Sequence, residues 1–244
     1  MVTCYDSTMA KLVARSSIDC ILVGDSLAMT MHGHGDTLAA TPELMAFHVA
    51  AVRRGAPDAF IIGDMPFVAH RGSLDRTMDA VAMIMRAGAQ SVKIEGNTDD
   101  GQLIRHIVES GVPVMGHLGL TPQSVHGLGG FRVQARGVEA AERLLADAKS
   151  LERAGCFAIV LEAVPGDVAS RVTDQLTIPT IGIGAGSGTS GQVLVLQDLL
   201  GLNVDFVPKF VRKFVDGAAV VTGALNAYDE AVKARSFPSA DEGY

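Results

Sequence analysis

The sequence predicts an α/β protein built as a single-domain (β/α)8 TIM barrel. Three observations carry this. Short apolar runs without polar alternation recur along the chain, as do the buried strands of a helix-covered parallel sheet. Each run is followed by a helical stretch, giving eight strand-then-helix units in 244 residues. Three successive runs end in acids, Asp25, Asp64 and Glu95, about thirty to forty residues apart, against roughly 31 per unit in a barrel of about 250 residues. A doubly wound open sheet is the alternative; eight near-equal units favour closure.

Val2-Thr3-Cys4 reads as strand one, with a helix from about Ser7 whose Met9, Leu12 and Val13 share a face by their spacing. Strand two is Cys20 to Val23, running into Gly24-Asp25-Ser26. A loop, Met31 to Asp36, follows, and Thr41 and Pro42 supply the N-cap and first helical position of the next helix. Strand three is Phe60 to Ile62, before a helix capped by Ser73 and stopped at Gly88. Strand four, Ser91 to Ile94, precedes a helix from about Asp99 to Gly111. Strand five, Val112 to Gly116, ends on His117. The glycine-bearing connection Leu118 to Gly137 is long enough to suggest function. A strong helix covers Val138 to Ala154, closed by Gly155. Strand six, Phe157 to Leu161, ends on Glu162, and a helix spans about Asp167 to Leu176. Strand seven is Pro179 to Ile183, Val193 to Leu200 reads as helix, and Val204 to Val207 as the last strand. Helix then runs to about Ala234. The barrel domain is set at 1–235, with a loose tail over 236–244.

Net charge is −7, with no block of lysine or arginine, which argues against a nucleic-acid or anionic-membrane surface. No apolar run approaches the roughly 20 residues of a membrane span. Cys4, Cys20 and Cys156 are odd in number, lack a Cys-x-x-Cys pair and sit among apolar neighbours, as small buried hydrophobes in a reducing compartment do. With no charged leader at its opening, the chain is expected to be cytoplasmic, with small-molecule partners.

A barrel of this kind works at the C-terminal ends of its strands. The polar residues there are Asp25, Ser26, Asp64, Lys93, Glu95, His117 and Glu162. Any one could be a helix cap or a rim charge. Three carboxylates from consecutive strands would repel one another, and a divalent cation removes that conflict. Hard oxygen ligands point to Mg²⁺ or Mn²⁺. Lys93 shares a strand face with Glu95, two residues on, and makes the site attractive to a carboxylate-bearing substrate. Glu162 approaches from across the mouth, where a carboxylate facing a Lewis acid can remove a proton α to a carbonyl. His117 is counted with the substrate-binding group; the alternative is a strand-end histidine bonded to backbone. His32-Gly33-His34 could be a zinc pair, but lacks a third ligand nearby. Ile181 to Gly186 is rich in glycine, either as an anion cradle or to relieve crowding at the rim.

At these residues the sequence resembles the ketopantoate hydroxymethyltransferases. The matching motifs are Thr3-Cys4-Tyr5-Asp6, Leu22-Val23-Gly24-Asp25-Ser26-Leu27, Ala51-Val52-Arg53-Arg54-Gly55-Ala56-Pro57, Met85-Arg86-Ala87-Gly88-Ala89, Val92-Lys93-Ile94-Glu95-Gly96, Gly116-His117-Leu118-Gly119-Leu120-Thr121-Pro122-Gln123-Ser124-Val125, and Ile181-Gly182-Ile183-Gly184-Ala185-Gly186. The resemblance implies a (β/α)8 barrel that moves a hydroxymethyl group from 5,10-methylenetetrahydrofolate to 3-methyl-2-oxobutanoate, giving 2-dehydropantoate for pantothenate and coenzyme A. It implies Mg²⁺ held by Asp25, Asp64 and Glu95, oxo-acid contacts from Asp25, Ser26, Asp64 and Lys93, Glu162 as proton acceptor, and a homo-oligomer, commonly a decamer. Family chains carry a helix ahead of the first motif, whereas this sequence opens at Met1-Val2; Ala39-Ala40-Thr41 stands where the family has a proline after the leucine matching Leu38. The alternatives are another Mg²⁺-dependent oxo-acid lyase or mutase on the same barrel, or a non-catalytic assembly or ligand-binding barrel.

Overall fold

Strand pairing follows the chain. The computed structural model describes residues 1–97, 101–205 and 207–244. Among these, eight parallel strands pair in sequence order: β1 (Val2–Thr3), β2 (Cys20–Val23), β3 (Phe60–Asp64), β4 (Ser91–Glu95), β5 (Val114–Gly119), β6 (Ala158–Glu162), β7 (Thr180–Ile183) and β8 (Gly191–Gln192). The sheet closes on itself where Val2 bridges Leu194 in parallel and Thr3 N donates to Leu194 O at 3.1 Å. The fold is a (β/α)8 TIM barrel, as the sequence predicts.

The helices between the strands are α1 (Ser7–Val13), α2 (Leu27–Thr30), α3 (Pro42–Gly55), α4 (Leu74–Arg86), α5 (Gln102–Glu109), α6 (Val138–Ala154) and α7 (Gly166–Asp174). Local chemistry fixes several ends. Asp6 accepts from Met9 N at 2.9 Å and starts α1. Thr41 accepts from Leu44 N at 3.2 Å, with Pro42 opening α3. Gly155, at φ 103°, stops α6. Ser73 precedes α4 as expected, but its side chain makes no cap bond. The buried face of α1 is Ala10 and Val13, and Leu12 is 56% exposed, so the predicted Met9-Leu12-Val13 face is not the one packed. The expected start of α5 near Asp99 lies outside the described residues.

The chain divides into two compact units, Met1–Val195 and Leu196–Tyr244, where the sequence suggested a barrel over 1–235 and a tail over 236–244. All eight strands lie in the first unit. Strand eight is Gly191–Gln192, not Val204 to Val207; Val204, Asp205 and Val207 are outside any strand, and Phe206 is not among the described residues. The second unit holds α8 (Leu196–Leu199), much shorter than the helix predicted over 193–200, and α9 (Gly217–Lys233), which ends where expected. Its final residues form a 3-10 turn, Ala240–Glu242, with a Ser239–Glu242 capping box, where a loose tail was anticipated. No helix of the described residues is long and apolar enough to cross a membrane.

Inside the barrel, Leu22, Ile62, Met115, Ala158, Val160 and Val193 form one buried cluster. Side chains alternate faces along a strand. Counting in steps of two from that cluster brings Asp64, His117 and Glu162 to the same inner face at the strand ends. Register carries β4 with them, since Lys93 lies beside Asp64 and Glu95 beside His117. The hydrophobic interior thus sets which polar residues look into the mouth.

Candidate active site

Asp25, Asp64 and Glu95 meet in a buried cluster at the C-terminal rim. Each carboxylate has one oxygen held by an N–H. Asp64 Oδ2 accepts from Asp25 N at 3.0 Å, Asp25 Oδ2 from Gln123 Nε2 at 2.8 Å, and Glu95 Oε2 from Gln123 N at 3.1 Å. The opposite oxygens, Asp64 Oδ1 and Glu95 Oε1, are buried without a hydrogen bond. Lys93 Nζ stands 3.2 Å from the first and 3.8 Å from the second. Those are charge contacts rather than well-directed bonds, which reconciles the two observations. Gly24 makes room for the cluster, since a Cβ there would lie 3.0 Å from Ser26 Oγ and 3.4 Å from Asp64 Oδ2.

The counter-charge among these acids is therefore Lys93, where the sequence reading relied on a dication alone. No group of three or more His, Cys, Asp or Glu side chains among the described residues is already arranged as a metal centre. The donor set nonetheless suits a hard cation: the available atoms are carboxylate oxygens, and two are buried with no hydrogen bond to satisfy them.

Burial, together with the Asp64 and Glu95 charges, pushes Asp25 well above the usual carboxylate range. Burial also raises Asp64, against the pull of Lys93. Glu95 goes down: burial opposes ionisation, but the hydrogen bond and charge of His117 and the charge of Lys93 outweigh it. Burial disfavours the Lys93 ammonium, yet Asp64, Glu95 and Asp25 together raise its pKa.

His117 stands inside the charged cluster, with its ring against side chains rather than bonded to backbone. Its Nδ1 lies 3.0 Å from Lys93 Nζ and 3.4 Å from Glu95 Oε1, and its Nε2 lies 3.3 Å from Glu162 Oε2. Burial and Lys93 oppose protonation, while Glu162 and Glu95 favour it and bring the pKa to about 9. The Lys93 contact argues the other way, because an ammonium can donate to Nδ1 only if Nδ1 carries no proton. In either state of the ring Nε2 carries a proton, and it faces Glu162. Glu162 itself is 18% exposed at its side chain, and it ends β6 beside Gly119. Gly119 has φ 89°, and a Cβ there would collide with Glu162 O.

Ser26 Oγ is 2.7 Å from the Tyr5 hydroxyl. Tyr5 is fully buried, and burial pushes its phenol up to about 12, so it stays protonated. Tyr5 and Gln123 were not singled out from sequence as site residues. The signals were there: Tyr5 lies just past the end of β1, and Gln123 sits in the long connection after β5. The other candidates fall away. His32 Nε2 faces His48 Nε2 at 3.0 Å rather than His34. The glycines in and after β7 relieve crowding: a Cβ on Gly182 would lie 2.6 Å from Thr189 Oγ1, and one on Gly186 3.0 Å from Gly166 Cα.

The barrel belongs to a known architectural class. Solved structures similar to it include a phosphonopyruvate hydrolase in complex with oxalate and Mg²⁺, at TM-score 0.64 and 11% identity over 99% of this chain and 87% of that one. A 2,3-dimethylmalate lyase of the PEP mutase/isocitrate lyase superfamily matches at TM-score 0.59 and 15% identity, covering 97% and 82%. At such identities the likeness establishes fold alone.

Sequence goes further. The profile of the ketopantoate hydroxymethyltransferase family matches residues 1–240. The 3-methyl-2-oxobutanoate hydroxymethyltransferase of Coxiella burnetii (strain CbuK_Q154) is 56% identical over 239 residues, spanning 98% of this chain and 90% of the relative. That of Francisella tularensis subsp. tularensis (strain FSC 198) is 52% identical over 244 residues, spanning 100% and 92%. The chain belongs to the ketopantoate hydroxymethyltransferase family and is a hydroxymethyltransferase.

Proposed function

We propose that the chain makes 2-dehydropantoate by taking a proton from C3 of 3-methyl-2-oxobutanoate with Glu162 and passing the resulting enolate to a one-carbon unit. The observation that supports this is the pairing of a fixed, buried carboxylate trio with a more accessible acid, Glu162, whose Oε2 lies 3.3 Å from Nε2 of the His117 ring that also touches Glu95. Lys93 and the Ser26 hydroxyl attract and orient the substrate carboxylate. Tyr5 holds Ser26 in place. His117, with Nε2–H toward Glu162, orients the carboxylate that accepts the proton.

Asp25, Asp64 and Glu95 would hold Mg²⁺, a reading supported by Asp64 Oδ1 and Glu95 Oε1 being buried without a hydrogen bond. When bound, the ion supplies Lewis-acid polarisation of the keto oxygen. The one-carbon donor is 5,10-methylenetetrahydrofolate. It gives up its carbon at the oxidation level of formaldehyde, water supplies the hydroxyl, and no oxidant or reductant is consumed. The same reading includes a cytoplasmic location and a homo-oligomer, a decamer by family resemblance; exposed Val220, Leu225 and Tyr228 on α9 are consistent with assembly.

The test is exchange of the C3 proton in deuterated water without folate. Wild-type enzyme with Mg²⁺ should exchange it, and chelation should stop the exchange. Exchange that survives in Glu162→Gln would remove Glu162 from the role of base.

A further inference from the structure

We propose that Gln123 is a positioning residue that selects which oxygens of Asp25 and Glu95 are offered to the ligand, and that it ties the connection after β5 to the carboxylate cluster. Gln123 lies in a 3-10 turn, Pro122–Ser124, yet is only 5% exposed. A loop glutamine this buried is held by its bonds. Its Nε2 donates to Asp25 Oδ2 at 2.8 Å and to Met65 O at 2.8 Å. Both partners are acceptors, so the amide can sit only with its NH₂ group toward them. Its main-chain N donates to Glu95 Oε2 at 3.1 Å.

Two of the three N–H anchors on the acid trio thus come from this one residue, and the third is Asp25 N on Asp64. Anchoring one oxygen turns the other outward. The turn itself is braced, with Ser124 N on Thr121 O at 2.8 Å and Val125 N on Pro122 O at 3.1 Å. Just upstream, Leu120 N donates to Glu162 O at 2.8 Å. The same few residues therefore fix the backbone of the proposed base and the orientation of the acids facing it. The Glu95 anchor is main-chain, but no other common side chain reproduces the contacts to Asp25 and Met65. Asparagine is one methylene short, glutamate adds a fourth carboxylate and removes both donors, and methionine keeps the shape without an N–H.

The inference rests on the reading of Asp25 and Glu95 as cation ligands, and the experiment separates failure of one from failure of the other. In the full chain, Mg²⁺ affinity is measured by calorimetry without substrate for wild type, Gln123→Met and Gln123→Glu. Partners that orient metal ligands typically carry 10–100-fold in affinity. Gln123→Met should lose about that much. Unchanged affinity in Gln123→Met would overturn the proposal. Should wild type itself bind neither Mg²⁺ nor Mn²⁺, the cation reading fails, and Gln123 is judged in the chelated protein. There, Gln123→Met and Asp25→Ala should shift the melting temperature non-additively, as partners in one network do. Additive shifts would dismiss the contact. If Gln123→Met does not fold, Gln123→Leu, equally uncharged and without an N–H, carries the same comparison.

Discussion

Asp25, Asp64 and Glu95 are held quite differently from Glu162, although all four are carboxylates on one rim. Each member of the trio is nearly inaccessible and has one oxygen fixed by an N–H. Glu162 is 18% exposed and is met by a single imidazole at 3.3 Å. The contrast fits the division of labour proposed above. Acids that hold a cation or a substrate need a fixed geometry, which buried hydrogen bonds supply. An acid that takes a proton and releases it needs room and an outlet to solvent.

The hardest test of that contrast is Glu162→Gln, which keeps shape and removes the proposed base. It should cost about 10²–10⁴ in C3 proton exchange while leaving Mg²⁺ binding near wild type by calorimetry. A parallel loss of binding would erase the distinction between the two regions. Lys93→Met attacks the other side. It strips the cation from a buried acid cluster, and breaking such a pair costs about 3–5 kcal/mol, read as a lower melting temperature. Added Mg²⁺ should raise that temperature more in the variant than in wild type; an equal rise would mean that Lys93 and the ion do not share a role.

A third test concerns the support behind the trio. His70 is buried with Nε2 3.2 Å from Glu95 O. Burial and the Arg71 charge lower its pKa from 6.5 to about 4. Between those values the unfolded chain binds the proton that the folded one refuses, so this stability contribution is whole above pH 6.5 and declines as pH falls toward 4. His70→Gln should flatten the acid limb of a melting-temperature profile; an unchanged limb would clear His70 of that role. The smallest expected effect is Tyr5→Phe, which removes one hydrogen bond to Ser26, a loss of about 0.5–1.5 kcal/mol. It should appear as a modest rise in KM for the oxo acid with little change in kcat. A kcat loss as large as that of Glu162→Gln would place Tyr5 in the chemistry itself.

Much of this was legible in the letters. Runs such as Phe60-Ile61-Ile62 and Val92-Lys93-Ile94 are locally committed to buried strands, and their terminal acids follow by alternation. The Thr41-Pro42 start and the Gly155 stop are equally local. Strand eight was misread because Gly191-Gln192 has no apolar signature. It is a strand through its pairing with β7, and the barrel closes beside it where Val2 meets Leu194. Tyr5 and Gln123 were missed as site residues for a related reason: neither stands at the end of an apolar run, and each matters through a partner far along the chain.

The sequence by itself determined the barrel, the acids at its rim and the family to which the chain belongs, because strand alternation and strand-end chemistry depend on near neighbours. Tertiary structure alone decided that Lys93 supplies the charge among the three acids and that His117 spans from them to Glu162. It also decided that Gln123, 98 residues from Asp25, anchors one of its oxygens. Such contacts have no local periodicity to announce them; they exist only once the closed sheet brings distant segments to the same rim.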